Sequence, residues 1–246
     1  LKSFVDPSTM LDGQFDFPFK AQLCGALFRP EGNMEAFSDF MDSNDGYYGI
    51  GSLMTTWIGN HDIPRAIHFA SGQSDNCTQG SDGGNAWTAS YNQPGDAVPY
   101  ERMGLSFAVM MTSPGIPLIY YGDEIGLAGG GDPDNRRMMV FEDNQLNQHQ
   151  IALRERVRKL SRIRSENKSL TRGVRNTLSV NQNTWVYEMG GCGSDAPTVV
   201  VAINRTDGTQ SVNIPAGSYT DLMNDAMHTG GNVQLPPRSE LILRVE

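Results

Sequence analysis

The chain has 246 residues, which is enough for one large domain, or for one domain followed by a smaller one. Its formal net charge of −9 and its pI near 4.9 argue against a nucleic-acid-binding surface, because phosphate recognition needs clustered Lys and Arg. The sequence contains no apolar run long enough to cross a bilayer. We therefore expect neither nucleic acid nor a membrane among its partners.

The first two-thirds of the sequence alternate between strand-like and helix-like patterns. Short strands are predicted at residues 14–19, 53–58 and 116–121. One helix is predicted to start after an N-cap at Asn33, and two more at residues 99–112 and 146–164. The basic cluster at residues 154–164 has helical spacing, which favours a solvated helix face. Residues 70–96 are polar and rich in Gly, which predicts a functional or disordered surface loop.

After Gly173 the pattern changes to apolar and polar alternation, which predicts a small antiparallel sandwich. Its strands are expected at residues 177–180, 185–189, 199–204, 211–214 and 240–245. The fold class is therefore α/β in residues 1–170, followed by an all-β sandwich domain in residues 171–246. Three parallel strands cannot close a sheet, whereas a (β/α)8 barrel needs eight. We expect residues 1–170 to be the last three β/α units of a larger barrel, which needs its first part to fold stably.

The three cysteines allow either one disulfide, with Cys24 and Cys77 as the candidate pair, or three free thiols. No CxxC pair is present, so no zinc site is expected. Sparse Lys and abundant Asn, Gly, Ser and Thr favour an extracellular or periplasmic enzyme. The chain opens on Leu1 rather than Met, so we expect a mature or cut fragment.

The most informative segment is residues 57–65, WIGNHDIPR, in which a buried strand stops at an Asn-His-Asp cluster and a proline. In parallel α/β proteins, loops at the carboxyl ends of strands carry the chemistry. An adjacent carboxylate and imidazole there suggest a polar, sugar-binding active site. The alternative is a strand-ending turn in which Asn60 and Asp62 cap backbone N–H groups.

Three motifs in order carry a resemblance that covers nearly the whole chain. Residues 57–65 resemble the fourth sequence region of the α-amylase family of glycoside hydrolases, family 13. Residues 115–124, GIPLIYYGDE, resemble that family's eighth barrel strand, and residues 131–136, GDPDNR, resemble the loop after it. The C-terminal strands are similar to the family's β-sandwich domain C. The resemblance implies a retaining glycosidase that cleaves α-1,4-glucosidic bonds of starch or maltodextrins.

The resemblance also implies roles for five residues. Asp62 is the family's third carboxylate, which binds sugar hydroxyls and stabilises the transition state, and His61 donates to the same sugar. Asp132 and Arg136 hold glucose units further from the cut, unless they only brace their loop as an ion pair. Arg65 is a further substrate-binding candidate, although a structural salt bridge behind the site is favoured over sugar contact.

Other polar and aromatic residues near these motifs have less specific roles. Asp123 and Glu124 are adjacent at a strand end, so their side chains point to opposite sides and cannot form a catalytic pair. Glu124 is expected to bond loop backbone. Among the aromatics, Trp87 and Tyr91 are the better candidates for stacking on glucose rings, whereas Tyr120 is expected in the core.

The family's nucleophile and acid/base lie upstream of every motif present here. The chain alone is therefore predicted to be inactive, and its expected partners are the N-terminal half of the same enzyme and an α-glucan or maltooligosaccharide. Calcium accompanies many α-amylases, but its ligands lie mostly upstream, and residues 74–84 lack EF-hand spacing, so no cofactor is assigned. The alternatives are a non-catalytic glucan-binding or interaction subunit, and a transglycosylase or α-glucosidase of the same family.

Overall fold

The computed structural model describes residues 2–49, 51–74, 76–78 and 91–246. Its helices are α1 (Phe17–Phe28), α2 (Met34–Tyr48), α3 (Ala66–Ala70), α4 (Val98–Thr112), α5 (Gln148–Glu166) and α6 (Lys168–Arg172). Its strands are β1 (Thr55–Trp57), β2 (Ile116–Leu118), β3 (Val174–Val180), β4 (Thr184–Gly190), β5 (Val199–Asn204), β6 (Gln210–Asp221), β7 (Ala226–Leu235) and β8 (Ser239–Val245).

Three segments in the first part of the chain run side by side in parallel. Strand β1 pairs with β2, with Thr55 opposite Ile116, and an isolated parallel bridge joins Phe15 to Thr55. The strand predicted at residues 14–19 is wrong beyond this bridge. Asp16 accepts a hydrogen bond from the backbone N–H of Phe19 and so caps α1, which starts at Phe17 instead of continuing the strand.

Helices α1 to α5 pack around a core that includes almost all of α4. Asn33 caps α2 by accepting from the N–H groups of Glu35 and Ala36, as predicted from the sequence. The basic face of α5 is not entirely solvated, because Arg164 is buried. Its guanidinium donates to the carbonyl oxygens of Met111, Ser113, Gly115 and Leu170, and so ties α5 to the connection between α4 and β2.

The second part of the chain is a six-stranded antiparallel sheet in the order β3-β4-β5-β8-β6-β7. Its register shifts in β6 between Ile214 and Ser218. One face of β4 and β5 packs on the helices, and the other packs on apolar side chains of β6 and β7 such as Val212 and Leu235. Strand β5 is consequently buried along its whole length. The sheet thus folds over itself into a sandwich, which includes β7, a strand that was not predicted.

A disulfide joins Cys24 in α1 to Cys77 in the segment after α3, and Cys192 is a free thiol. This settles the pairing that the sequence left open. Within the ranges described above, no helix has both the length and the apolar character needed to span a membrane.

Candidate functional site

Strand β1 ends in a tight polar turn that exposes His61 and Asp62. The side chain of Asn60 accepts a hydrogen bond from the backbone N–H of Asp62 at 2.8 Å, which stabilises the turn. The side chains of His61 and Asp62 are 64% and 61% exposed, and His61 Nε2 lies 3.3 Å from Asp62 Oδ1. Asn60 thus caps the turn as the alternative reading predicted, while the imidazole of His61 and the carboxylate of Asp62 both face outward; sugar binding by these two side chains stays a prediction.

The loop after β2 brings two more predicted residues to the same place. Arg136 Nη2 lies 3.0 Å from Asp132 Oδ2, and Arg136 also donates to the backbone carbonyl of His61 at 3.2 Å. Both side chains keep more than a third of their surface exposed. The structure therefore brings His61, Asp62, Asp132 and Arg136 into one exposed polar cluster, and it shows the Asp132–Arg136 ion pair that was the alternative reading.

A residue without a predicted role, Asn135, fixes the distance between these two segments. Its side chain is fully buried, and its Nδ2 donates to the carbonyl oxygens of His61 at 2.8 Å and Ile63 at 2.9 Å. The amide thus holds the turn after β1 against the loop after β2. Asn135 belongs to the GDPDNR motif at residues 131–136, but the motif alone does not indicate that its side chain points inward.

The structure contradicts the substrate-binding role that was predicted for Arg65. Its side chain is 0% exposed, so it cannot contact a sugar, and the substrate-binding role assigned to it is wrong. The guanidinium lies 4.2 Å from the ring centroid of Tyr120 and 4.5 Å from that of Tyr121. It donates to the carbonyl of Tyr121 and pairs with Asp123 at 3.4 Å, which is the structural salt bridge that the sequence favoured.

Asp123 is buried against Gly59, just after β1. Burial raises the pKa of Asp123 to about 7, while the charge of Arg65 acts in the opposite direction. A Cβ on residue 59 would lie 2.2 Å from Asp123 Oδ2, so only glycine leaves room for this carboxyl group. Among the described residues, the buried Oε2 of Glu124 has no hydrogen-bond partner, so the bond to loop backbone predicted for this side chain is not seen at that oxygen.

His68 is a second residue without a predicted role. It is completely buried in α3, and its Nε2 accepts a hydrogen bond from the backbone N–H of Gly129 at 2.9 Å. Burial lowers the pKa of His68 to about 4. Tyr91 packs edge-on against the imidazole, with 4.7 Å between ring centroids. No motif or spacing in the sequence marks His68.

The remaining predictions for this region fall mostly on residues 79–90 and their neighbours. Trp87 lies outside the described residues, as does most of the loop at residues 74–84. Tyr91 is half-buried, and the ring of Tyr120 packs against Arg65. Among the described residues, no group of His, Cys, Asp and Glu side chains is placed to hold a metal ion.

The chain is similar in sequence to cyclomaltodextrin glucanotransferases, although no protein-family model matches it. It is 28% identical over 211 residues to the cyclomaltodextrin glucanotransferase of Bacillus sp. (strain 1-1), covering 84% of this chain and 25% of that protein. It is 28% identical over 226 residues to the enzyme of the same name from Geobacillus stearothermophilus, covering 89% of this chain and 27% of that protein. The chain thus spans about a quarter of the length of these relatives.

Solved structures of α-amylases share the fold over almost the whole chain. The α-amylase from Geobacillus thermoleovorans, complexed with acarbose, matches with a TM-score of 0.76 and 25% identity, over 98% of this chain and 49% of that one. An Anoxybacillus α-amylase matches with a TM-score of 0.78 and 24% identity, over 99% of this chain and 49% of that one. The chain is therefore homologous to the α-amylase family of glycoside hydrolases, family 13, and has the fold of its C-terminal part: the last strands of the (β/α)8 barrel followed by the β-sandwich domain.

Proposed function

We propose that the chain forms part of the active site of an α-amylase-type glycosidase that cleaves α-1,4-glucosidic bonds of starch or maltodextrins with retention. The observation that carries this proposal is the exposed pair of His61 and Asp62, placed beside Asp132 and Arg136 at the carboxyl ends of two parallel strands. Loops at this end of a barrel carry the catalytic residues in enzymes of this architecture.

Each residue of the cluster has a role that its chemistry supports. Asp62 accepts hydrogen bonds from two hydroxyls of the sugar at the cleaved bond, and these bonds strengthen as positive charge develops on the ring. His61 donates to a hydroxyl of the same sugar. Asp132 and Arg136 bind a more distant glucose unit. The carboxylate of Asp132 accepts hydrogen bonds from paired hydroxyls of this sugar, and the guanidinium of Arg136 donates to them.

The catalytic pair of a retaining glycosidase comes, in this proposal, from an upstream part of the same enzyme. Residues 1–170 are then the last three β/α units of the barrel, and residues 171–246 are domain C. The exposed apolar side chains of Phe15, Phe17 and Ile116 support this, because they lie on and beside an open parallel sheet that the remaining segments of a barrel can pack against. The chain by itself is inactive.

An extracellular or periplasmic location belongs to the same proposal. The disulfide between Cys24 and Cys77 supports it, because disulfides persist in oxidising compartments and are rare in reducing ones.

A second candidate activity is transglycosylation. It is favoured by the matched relatives, which are named as cyclomaltodextrin glucanotransferases. Both activities need the same sugar-binding cluster, so the products distinguish them: linear oligosaccharides indicate hydrolysis, and cyclic or elongated ones indicate transfer. A non-catalytic binding subunit is disfavoured, because a pure scaffold has no need for all four polar residues of the cluster.

The test is to combine the chain with the upstream half of the barrel and to measure hydrolysis of maltoheptaose. We expect activity only from the combination, and Asp62→Asn should reduce kcat/KM by on the order of 10³-fold or more, about 4 kcal/mol in transition-state stabilisation. Because Asp62 is exposed, the fold should be unaffected, which circular dichroism checks.

A matched control is Asp143→Asn, at an equally exposed carboxylate that pairs with Arg154 on a different segment. It should leave kcat/KM within about twofold of the wild-type value. Full activity of the Asp62→Asn enzyme, or hydrolysis by this chain alone, would overturn the proposal.

A further inference from the structure

The hydrogen bonds of His68 define a single tautomer. Its Nε2 accepts from the backbone N–H of Gly129 at 2.9 Å, so this nitrogen carries no proton. The proton of the neutral ring must then lie on Nδ1, which faces Gln73 Oε1 at 2.5 Å and donates to it. Both ring nitrogens thus form hydrogen bonds, and Nε2 binds the backbone of the loop that contains Gly129.

The N–H group held by His68 lies at the start of the loop that carries Asp132 and Arg136. The carbonyl of Gly129 accepts from the backbone N–H of Arg65 at 3.0 Å, so Gly129 is bonded on both sides to the segment after β1. The backbone at residues 129 and 130 is also closely packed against its neighbours. A Cβ on residue 129 would lie 2.6 Å from the carbonyl oxygen of Asp134, and one on residue 130 would lie 2.5 Å from the ring of Tyr91.

The surroundings of His68 keep its ring neutral. Burial is the main cause of its low pKa, and the positive charges of Arg137 and Arg65 act in the same direction. Asp134 and the hydrogen bond to Gln73 oppose them. A protonated ring would lose its acceptor nitrogen, so the bond to Gly129 requires the neutral form.

We propose that His68 is a positioning residue: its bond to Gly129 fixes the start of the loop at residues 129–136, and thereby holds Asp132 and Arg136 where they bind glucose units. The contrasting reading is a core histidine that only adds stability. The role in sugar binding depends on the proposed function, whereas the role in ordering the loop does not. The two parts are therefore tested separately.

The first test measures hydrogen exchange of the Gly129 and Gly130 amides by NMR in the complete enzyme. His68→Phe keeps a ring of similar size but removes the acceptor, so exchange at Gly129 should accelerate by about tenfold, and Gly130 should follow. His68→Gln places an amide oxygen near the former Nε2, and it should restore most of the protection. Unchanged exchange in His68→Phe would overturn the inference.

Phe69→Leu is the control for general destabilisation. Phe69 is equally buried in the same helix, but its ring faces Lys20 Nζ at 4.5 Å, in α1, and not the loop. This variant should lower overall stability without a selective change at Gly129 and Gly130. An equal acceleration of exchange in Phe69→Leu and His68→Phe would show that His68 is only a core residue.

The second test measures kcat and KM for maltoheptaose. His68→Phe should raise KM by about tenfold and change kcat by less than about twofold. The sugar contacts that it disturbs, those of Asp132 and Arg136, are made to a glucose unit distant from the cleaved bond. Asp132→Ala should raise KM by about tenfold in the wild type but by less than about threefold in His68→Phe, since the two residues act in sequence. Equal effects in both backgrounds would refute positioning. If the wild type does not act on maltoheptaose, the proposed function fails, while the exchange experiment still decides whether His68 orders the loop.

Discussion

Asp62 and Arg65 lie close together in the sequence, but one side chain is exposed and the other is fully buried. The motif marks both residues, yet their directions depend on partners that come much later in the chain. Arg65 is drawn inward by Asp123 and by the rings of Tyr120 and Tyr121. A single sequence does not show which of two neighbouring polar residues will contact such partners. The sequence could therefore favour a buried salt bridge for Arg65 but could not establish it.

His68 and Asn135 show a similar limit. Each is a polar residue whose importance comes from backbone groups that it bonds across a loop, His68 to Gly129 and Asn135 to His61. Backbone acceptors and donors have no sequence signature, because every residue has them. The exposed cluster could therefore be proposed from motifs, whereas the buried residues that hold it could not.

Two buried groups near the site should affect stability in opposite directions as pH changes. Burial raises the folded-state pKa of Asp123 to about 7, above its ordinary value of 3.8, so its contribution to stability is present below pH 3.8 and is lost as pH rises to 7. Burial lowers the folded-state pKa of His68 to about 4, below its ordinary value of 6.5. Its contribution is present above pH 6.5 and is lost as pH falls to 4.

These opposite slopes overlap between about pH 4 and 6.5, and single variants should separate them. Relative to the wild type, His68→Gln should lose stability as pH rises through this range, while Asp123→Asn should gain it. Each group contributes at most about 1.4 kcal/mol per pH unit. Urea unfolding at several pH values measures the slopes; absolute stability is a poor readout, because Asp123→Asn also leaves Arg65 without its partner. Parallel pH profiles for all three proteins would contradict the prediction.

At the scale of elements, polar residues at helix starts define three of the helices, although only the cap at Asn33 was predicted. Asn33 caps α2, and Asn147 caps α5 through a reciprocal pair of bonds with Gln150. The same rule explains the failed strand at residues 14–19, where Asp16 followed by Phe17 and Pro18 is a helix start. Strand β7 was not predicted, because it is an edge strand that is rich in polar residues and glycine and shows little alternation of apolar and polar residues.

Arg164 shows how one side chain joins several elements. Its Nη1 donates to the carbonyls of Met111 and Ser113, both at 2.9 Å, and its Nη2 to that of Gly115 at 2.6 Å. Arg164→Met should lower the free energy of unfolding by about 3 kcal/mol or more, because these buried carbonyls lose their donor. Arg164→Lys should cost less but not be neutral, since one ammonium cannot replace the planar guanidinium.

The control for this prediction is on the same helix. Arg162 is 58% exposed, and its Nε lies 3.9 Å from a carboxylate oxygen of Glu166. Arg162→Met should change the free energy of unfolding by less than about 0.5 kcal/mol in urea denaturation. Equal losses at both positions would show that Arg164 acts through charge on the helix and not through its buried bonds.

At the scale of the whole molecule, the two sheets differ in how completely they are covered. Strands β4 and β5 of the antiparallel sheet are buried between the helices on one face and apolar side chains of β6 and β7 on the other. Within the described part of the chain, the parallel sheet consists of two strands and the bridge at Phe15, and Ile116 on its edge strand is 51% exposed. Apolar runs predicted strands of the parallel sheet, and apolar and polar alternation predicted those of the sandwich. That the sandwich is one folded sheet with a register shift in β6 could not be predicted, because these patterns do not specify which strands pair.

The disulfide should be the strongest single constraint on the barrel part. It links Cys24 to Cys77 across a sequence separation of 53 residues, a span that includes α2, β1 and α3. Closing a loop of this length removes many conformations from the unfolded chain. Replacing both cysteines by alanine should therefore lower the free energy of unfolding by about 2 to 4 kcal/mol in urea denaturation.

Two comparisons separate the cross-link from the loss of two buried side chains. Cys192→Ala, at the free thiol, should leave stability nearly unchanged. A reducing agent should destabilise the wild type and the Cys192→Ala variant by similar amounts, but should have no effect on the double alanine variant. Non-covalent contacts also hold the segment around Cys77: Lys20 Nζ donates to the carbonyl of Cys77 at 2.8 Å, and Arg29 Nη1 to that of Ser74 at 3.5 Å. If these contacts were sufficient, the reduced protein would unfold at the same urea concentration as the oxidised one, and the constraint assigned to the disulfide would be refuted.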